Sequence, residues 1–130
     1  MARFKGAAVA ETHLEAALSD PANLLIVAER DGQPLGFVWA HWLDRLRPER
    51  KHLFVYEIEV DPDHRRRGVG TALMRAVLDA AEARAADVFL FTNRSNEAAV
   101  AFFAGLGGRV ENGDDLLFVY PVEGGGMSGS

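Results

Sequence analysis

Two glutamates, Glu57 and Glu59, stand at alternate positions late in the stretch "HLFVYEIEV", residues 52–60. In an extended chain that spacing puts both carboxylates on one face. A carboxylate, or a water it holds, can serve as a general base. An ordinary solvated strand face would carry the same residues, because glutamates are mostly exposed. Directly downstream runs "VDPDHRRRGVGTAL", residues 60–73, in which Arg65, Arg66 and Arg67 lead into Gly68-Val69-Gly70 and Thr71. Arginines before a Gly-x-Gly fit three kinds of site: a nucleic-acid patch, a dinucleotide loop or a cradle for some other phosphate.

Charge argues against the first of these. The chain carries 14 Lys and Arg against 19 Asp and Glu, a net charge of -5. Nucleic-acid binding wants a broad positive field, whereas an acidic molecule suits a cationic partner. A dinucleotide loop would need G-x-G-x-x-G, and position 73 is Leu. A P-loop would need a lysine after its last glycine, and none is present in that place. The cradle remains. A strand, a glycine turn and then a helix present unpaired amides and the positive end of a helix dipole to an anion. Gly68 and Gly70 let a diphosphate approach, and the arginines add charge-assisted bonds. The four histidines are scattered without metal-ligand spacing. The absence of cysteine excludes disulfides, thiolate ligands and thiol catalysis.

The elements that would position these residues follow from periodicity. A short helix is expected over 11–18, with Pro21 beyond it. "NLLIVAE" (23–29) and "PLGFVWAHW" (34–42) read as strands joined by an Asp31-Gly32 hairpin turn. The charged segment 43–51 reads as a loop. In the next strand Phe54, Tyr56, Ile58 and Val60 share one face by alternation, which puts Tyr56 opposite Glu57. Apolar residues at 69, 72, 73, 76, 77 and 80 predict an amphipathic helix to about residue 84. "DVFLFT" (87–92) reads as a strand, 96–107 as a helix capped by Asn96 and stopped by a glycine pair, and 116–122 as a last strand. The order predicts an α/β (α+β) layered fold with a mixed sheet. The domain is expected to span residues 1–122, with 123–130 a flexible Gly/Ser tail. With no apolar run near the roughly 18 to 20 residues that span a bilayer and no signal peptide, a cytoplasmic protein is expected.

The string Arg65-x-x-Gly68-x-Gly70 between "IEVDPDH" and "TALMRAVLDAA" resembles the acetyl-CoA pyrophosphate motif of the GNAT N-acetyltransferase superfamily. "LFTNRSNEAAVAFFAGLGG" resembles its second motif, matched by Asn96, Ala99, Leu106 and Gly107. The likeness covers roughly residues 24–120. It implies a mostly antiparallel mixed sheet flanked by helices and acetyl-CoA as acetyl donor. It implies that the backbone of Ile58 and Val60 pairs with the pantetheine arm where the sheet splays. Arg65, Arg66, Arg67, Gly68, Val69, Gly70 and Thr71 would hold the diphosphate, with Asn96 and Phe103 lining the donor. Glu57 and Glu59 would serve as base. Phe103 stands where the family usually has the tyrosine that protonates the departing thiolate, and a phenyl ring cannot. Tyr56 and Tyr120 are the alternatives.

The family's usual first strand and helix look missing, which would leave the acceptor pocket open or completed by a second subunit, and a homodimer fits an exposed strand edge. Within the superfamily the sequence resembles the aminoglycoside 3-N-acetyltransferases, with Glu57 at their strand aspartate. That implies a small cationic amine acceptor, bound near Glu57, Glu59, Asp114, Asp115, His41 and Trp42, with no metal, nucleic acid or membrane partner. The alternative is an acetyl-CoA-binding module of weak or no activity.

Overall fold

In this computed structural model the described residues are 2–4, 7–9, 18–46, 49–65, 68–111, 113–114 and 116–121. They fall into two compact units, Met1–Asn93 and Arg94–Ser130. The expected helix at 11–18 lies outside the described residues except for Leu18, and the expected tail lies outside them entirely.

The first unit opens with a short antiparallel pair, β1 (Ala2–Phe4) and β2 (Ala7–Val9), which periodicity did not suggest. Its main sheet has four strands in the order β3-β4-β5-β6, namely Asn23–Arg30, Gln33–Leu46, Glu49–Val60 and Asp87–Phe89. The first three are antiparallel, and β6 joins parallel to β5. This is the mostly antiparallel mixed sheet expected. Asp31 and Gly32 form the β3–β4 turn with φ of 52° and 80°. Positive φ at both central residues gives a turn whose twist matches the strands.

The described residues of the expected loop, 43–46 and 49–51, are in strands. Leu43 pairs with His52, Asp44 with Lys51, Arg45 with Arg50 and Leu46 with Glu49, so the hairpin runs on past the core. Asp44 and Lys51 pair across the strands, with Lys51 Nζ 2.7 Å from the carboxylate, and Arg50, opposite Arg45, turns to Asp87 at 3.1 Å. A ribbon of paired backbone needs no burial when its side chains are solvated and opposite charges meet.

Helix α1 (Val69–Ala83) packs on one face of the sheet. Leu73, Met74, Val77 and Ala81 of the helix are buried against Val38, Ala40, Leu53 and Val55, which form the core. Gly36 permits the closest approach there. A Cβ on it would lie 2.6 Å from the Glu59 carbonyl oxygen and 3.3 Å from Leu73. The helix ends with Ala85 at φ 52°. Ala86 N–H then donates to Ala81 O at 2.9 Å and Ala85 N–H to Glu82 O at 3.0 Å, a Schellman closure.

The second unit holds α2 (Glu97–Gly105), capped by Asn96, whose side-chain oxygen accepts from Ala99 N–H at 3.1 Å. Gly107 (φ 93°) and Gly108 close it, with Gly108 N–H donating to Phe103 O at 3.1 Å. Residues 116–121 are not in a strand, although their composition suits one. Strand propensity is realised only against a partner, and this unit has no other strand among its described residues.

Candidate functional site

The decisive local feature is a bulge in β5. Trp39 pairs with Glu57, yet the next residue, Ala40, pairs with Val55, so Tyr56 is an extra residue in the strand. Directly opposed residues in an antiparallel pair point to the same face. Ala40–Val55, Val38–Ile58 and Gly36–Val60 therefore face α1, and Trp39–Glu57 and Phe37–Glu59 face the other way. Tyr56 joins the second set: its ring lies 5.6 Å from that of Trp39, 6.1 Å from His41 and 6.0 Å from Phe54. Simple alternation across β5 is thus overturned. Phe54 and Tyr56 do not share a face with Ile58 and Val60, and Tyr56 is on the same face as Glu57 and Glu59. A bulge shifts the parity of everything beyond it by one residue.

Both glutamates are half-buried on this face. Around them the surface is aromatic: Phe54 stacks on Phe89 at 4.9 Å, and Phe91 packs edge-on to both. His41 and Trp42 separate. His41 contacts the Trp39 ring at 5.0 Å, while Trp42, on the helix face, sits 4.4 Å beneath the Arg84 guanidinium.

The β5–β6 ladder stops at Phe54↔Phe89, which also ends the strand three residues sooner than its sequence suggests. Bulges terminate pairing in this way. From Val55 to Val60 the strand pairs with β4 on one side except at Tyr56, and on the other it lies beyond the last pair of the β6 ladder. The backbone of Ile58 and Val60 lies in this opened stretch, with their side chains turned toward α1.

The stretch leads on to the residues expected to cradle an anion. Asp61 N–H donates to Leu35 O at 2.8 Å, and the Asp61 carboxylate accepts from Asp63 N–H at 2.9 Å. These bonds hold the 3-10 turn Pro62–His64 that redirects the chain. Gly68 caps α1 in the left-handed region (φ 81°). At the helix start Ala72 N–H donates to Gly68 O at 2.9 Å, so the amides of Val69, Gly70 and Thr71 precede the ladder. The first turn carries neither a side-chain cap nor an acidic residue, and a Cβ on Gly68 would meet nothing within 4 Å. Arg65 is exposed beside it. Arg66 and Arg67 lie outside the described residues, as do Asn112 and Asp115 near the exposed Asp114.

The structure thus brings together Glu57, Glu59, Ile58, Val60, Arg65, Gly68, Val69, Gly70 and Thr71 along one path. Asn96 and Phe103 belong to the second unit. Asn96 is the cap of α2, and the half-buried Phe103 packs on the Phe102 ring at 5.1 Å. Trp39 was not singled out by sequence. Its position opposite Glu57 depends on the bulge. Among the described residues no group of His, Asp and Glu could hold a metal ion, and no helix is long and apolar enough to cross a membrane.

Residues 3–107 match the acetyltransferase (GNAT) family. A mycothiol acetyltransferase of Clavibacter michiganensis is 41% identical over 85 residues, 65% of this chain and 26% of that protein. An L-2,4-diaminobutyric acid acetyltransferase of Nocardia farcinica is 37% identical over 86 residues, 65% of this chain and 42% of that protein. The chain spans between about a quarter and two fifths of these two relatives. Among solved structures, an aminoglycoside acetyltransferase from a soil metagenome, in complex with trehalose, superposes with a TM-score of 0.80. It is 20% identical, with 92% of this chain and 80% of that one covered, and so speaks for the fold alone. A second soil-metagenome aminoglycoside acetyltransferase gives a TM-score of 0.75 at 29% identity, covering 91% and 78%.

Proposed function

From the premise that this chain belongs to the acetyltransferase (GNAT) family, we propose that it moves the acetyl group of acetyl-CoA to a primary amine of a small cationic acceptor, an aminoglycoside being the first candidate. The observation that carries this reading is the half-open strand. Six residues of an inner strand, Val55 to Val60, lie beyond the last pair of the β6 ladder, and the chain runs on from them to a helix N-terminus without a side-chain cap. An extended pantetheine arm suits the edge as an added strand would, and its diphosphate suits the Val69, Gly70 and Thr71 amides with Arg65.

The chemistry asks mainly for positioning. The acceptor nitrogen must be neutral to attack the thioester carbon, and Glu57, or a water it holds, takes the proton. Glu59 lies on the same face and favours a cationic acceptor by charge. A backbone N–H at the bulged strand polarises the thioester carbonyl, and the C–N bond forms as the C–S bond breaks. The solved relative that is 29% identical supports an aminoglycoside as the acceptor to try first. The diaminobutyric acid and mycothiol relatives put small amines of other kinds in the same panel.

Phe103, in place of a proton-donating tyrosine, favours a second reading, an acetyl-CoA-binding module of weak activity. One experiment separates the two: thiol release from acetyl-CoA with aminoglycosides, polyamines and diamino acids, and calorimetric donor binding on the same sample. Turnover with a cationic amine supports the enzyme. Binding without turnover on any amine supports the module, and absence of binding defeats both.

A further inference from the structure

We infer that Tyr56, the extra residue of the β5 bulge, is the acid that protonates the departing thiolate. The inference rests on the acetyl-transfer reading of the same site. Four observations carry it. The bulge turns Tyr56 onto the face of Glu57 and Glu59, where strict alternation would have pointed it into the helix face. It stands just beyond Phe54, where the β6 ladder ends, at the inner end of the opened edge. At about 3.3 Å per residue it is some 13 Å along the strand from Val60, so the diphosphate cradle and Tyr56 bracket the stretch an extended arm would follow. Finally, its ring is edge-packed against Trp39, His41 and Phe54 while half of the residue stays exposed, so the ring is held and its surface remains accessible.

The proton balance closes without any further reagent. The acceptor nitrogen attacks the thioester carbon, and its proton passes to Glu57 or the water held there. Collapse of the tetrahedral intermediate breaks the C–S bond, and the sulfur leaves with the electron pair. The Tyr56 hydroxyl gives that sulfur its proton, and the phenolate is reprotonated from solvent as Glu57 releases to solvent the proton it took. Among the described residues, the titratable and charged groups sharing this face are Glu57, Glu59, His52 and Arg50 on β5, His41 and Arg45 on β4 and Asp87 on β6.

The test is kinetic, on the full chain with acetyl-CoA and the best amine of the panel above. Tyr56→Phe is expected to lower kcat about tenfold to a hundredfold, the modest end of general-acid effects, because a thiolate is already a fair leaving group. Donor affinity by calorimetry stays unchanged. With an acetyl thioester of a more acidic thiol the loss shrinks toward nothing, a response that a packing defect would not give. Replacing Tyr56 with a ring-fluorinated tyrosine, a stronger acid of nearly the same shape, moves the alkaline limb of the kcat profile to lower pH. None of the other titratable groups on the face is altered by it. Wild-type kcat in Tyr56→Phe, or an equal loss with both thioesters together with an unmoved alkaline limb, overturns the inference. Wild-type protein that fails to bind acetyl-CoA overturns the acetyl-transfer reading instead, so the two failures are distinguishable.

Discussion

The two faces of the main sheet are built from the same three long strands and differ in almost everything else. The face under α1 is aliphatic and closed: Val38, Ala40 and Leu53 are fully buried there, and Leu73 and Val77 of the helix fill the remaining space. The opposite face is aromatic and acidic, with Tyr56 about half exposed and Glu57 and Glu59 half-buried. One residue reconciles them. Because Tyr56 is inserted into β5, Leu53, Val55, Ile58 and Val60 all reach the helix side, and the two carboxylates are delivered to the other. A strand can therefore serve a dry core along its whole length and still present carboxylates on its back, at the cost of one unpaired residue.

The sharpest way to break this contrast is to neutralise the acidic face alone. Glu57→Gln should lower turnover about 10²- to 10³-fold, the range of a lost general base, with calorimetric affinity for acetyl-CoA unchanged. Unchanged turnover would make that face an ordinary solvated surface. The closed face is more sensitive in stability. Gly36→Ala would drive a Cβ to 2.6 Å from the Glu59 carbonyl oxygen, where backbone must move, and should cost about 2–3 kcal/mol in urea unfolding. The path joining the faces can be probed at Gly68, whose φ of 81° a side chain tolerates poorly. Gly68→Ala should weaken acetyl-CoA binding about tenfold, the equivalent of the 1–2 kcal/mol left-handed penalty. Least in size, Ala85→Gly relieves the same penalty at the end of α1 and should raise stability by about 1 kcal/mol, read as a higher Tm with activity unaltered.

Much of the architecture was legible because local rules and tertiary packing agree. Asp31-Gly32 names its turn, the apolar stripe of α1 names its buried side, and Asn96 with Gly107 and Gly108 names both ends of α2. The turn into α1 was legible for the same reason, since Gly68 directly before an amphipathic run marks a helix start. Where local rules lack a partner they mislead, as at 116–121, and where charge substitutes for burial they miss a strand, as at 43–51. The bulge left a trace that alternation alone misread. In one strand phase the side chains run Leu53, Val55, Glu57, Glu59, apolar and then abruptly acidic. Moving the phase by one residue at Tyr56 restores an unbroken apolar series, and that is the solution the fold adopts. The grouping of Tyr56 with Trp39 and Glu57 follows from this phase change and from nothing else in the sequence.

The chain has two tryptophans, and the sheet places one on each face. Trp39 lies among His41 and Tyr56 opposite Glu57, whereas Trp42 is held beneath Arg84 at the far end of α1. Their fluorescence is therefore already sorted by location. In a Trp42→Phe protein the remaining emission comes from the acidic face and reports an arriving acceptor or donor. In a Trp39→Phe protein it comes from the helix side and reports release of α1 from the sheet. Ligand binding and unfolding can thus be followed as separate optical signals without attaching a label.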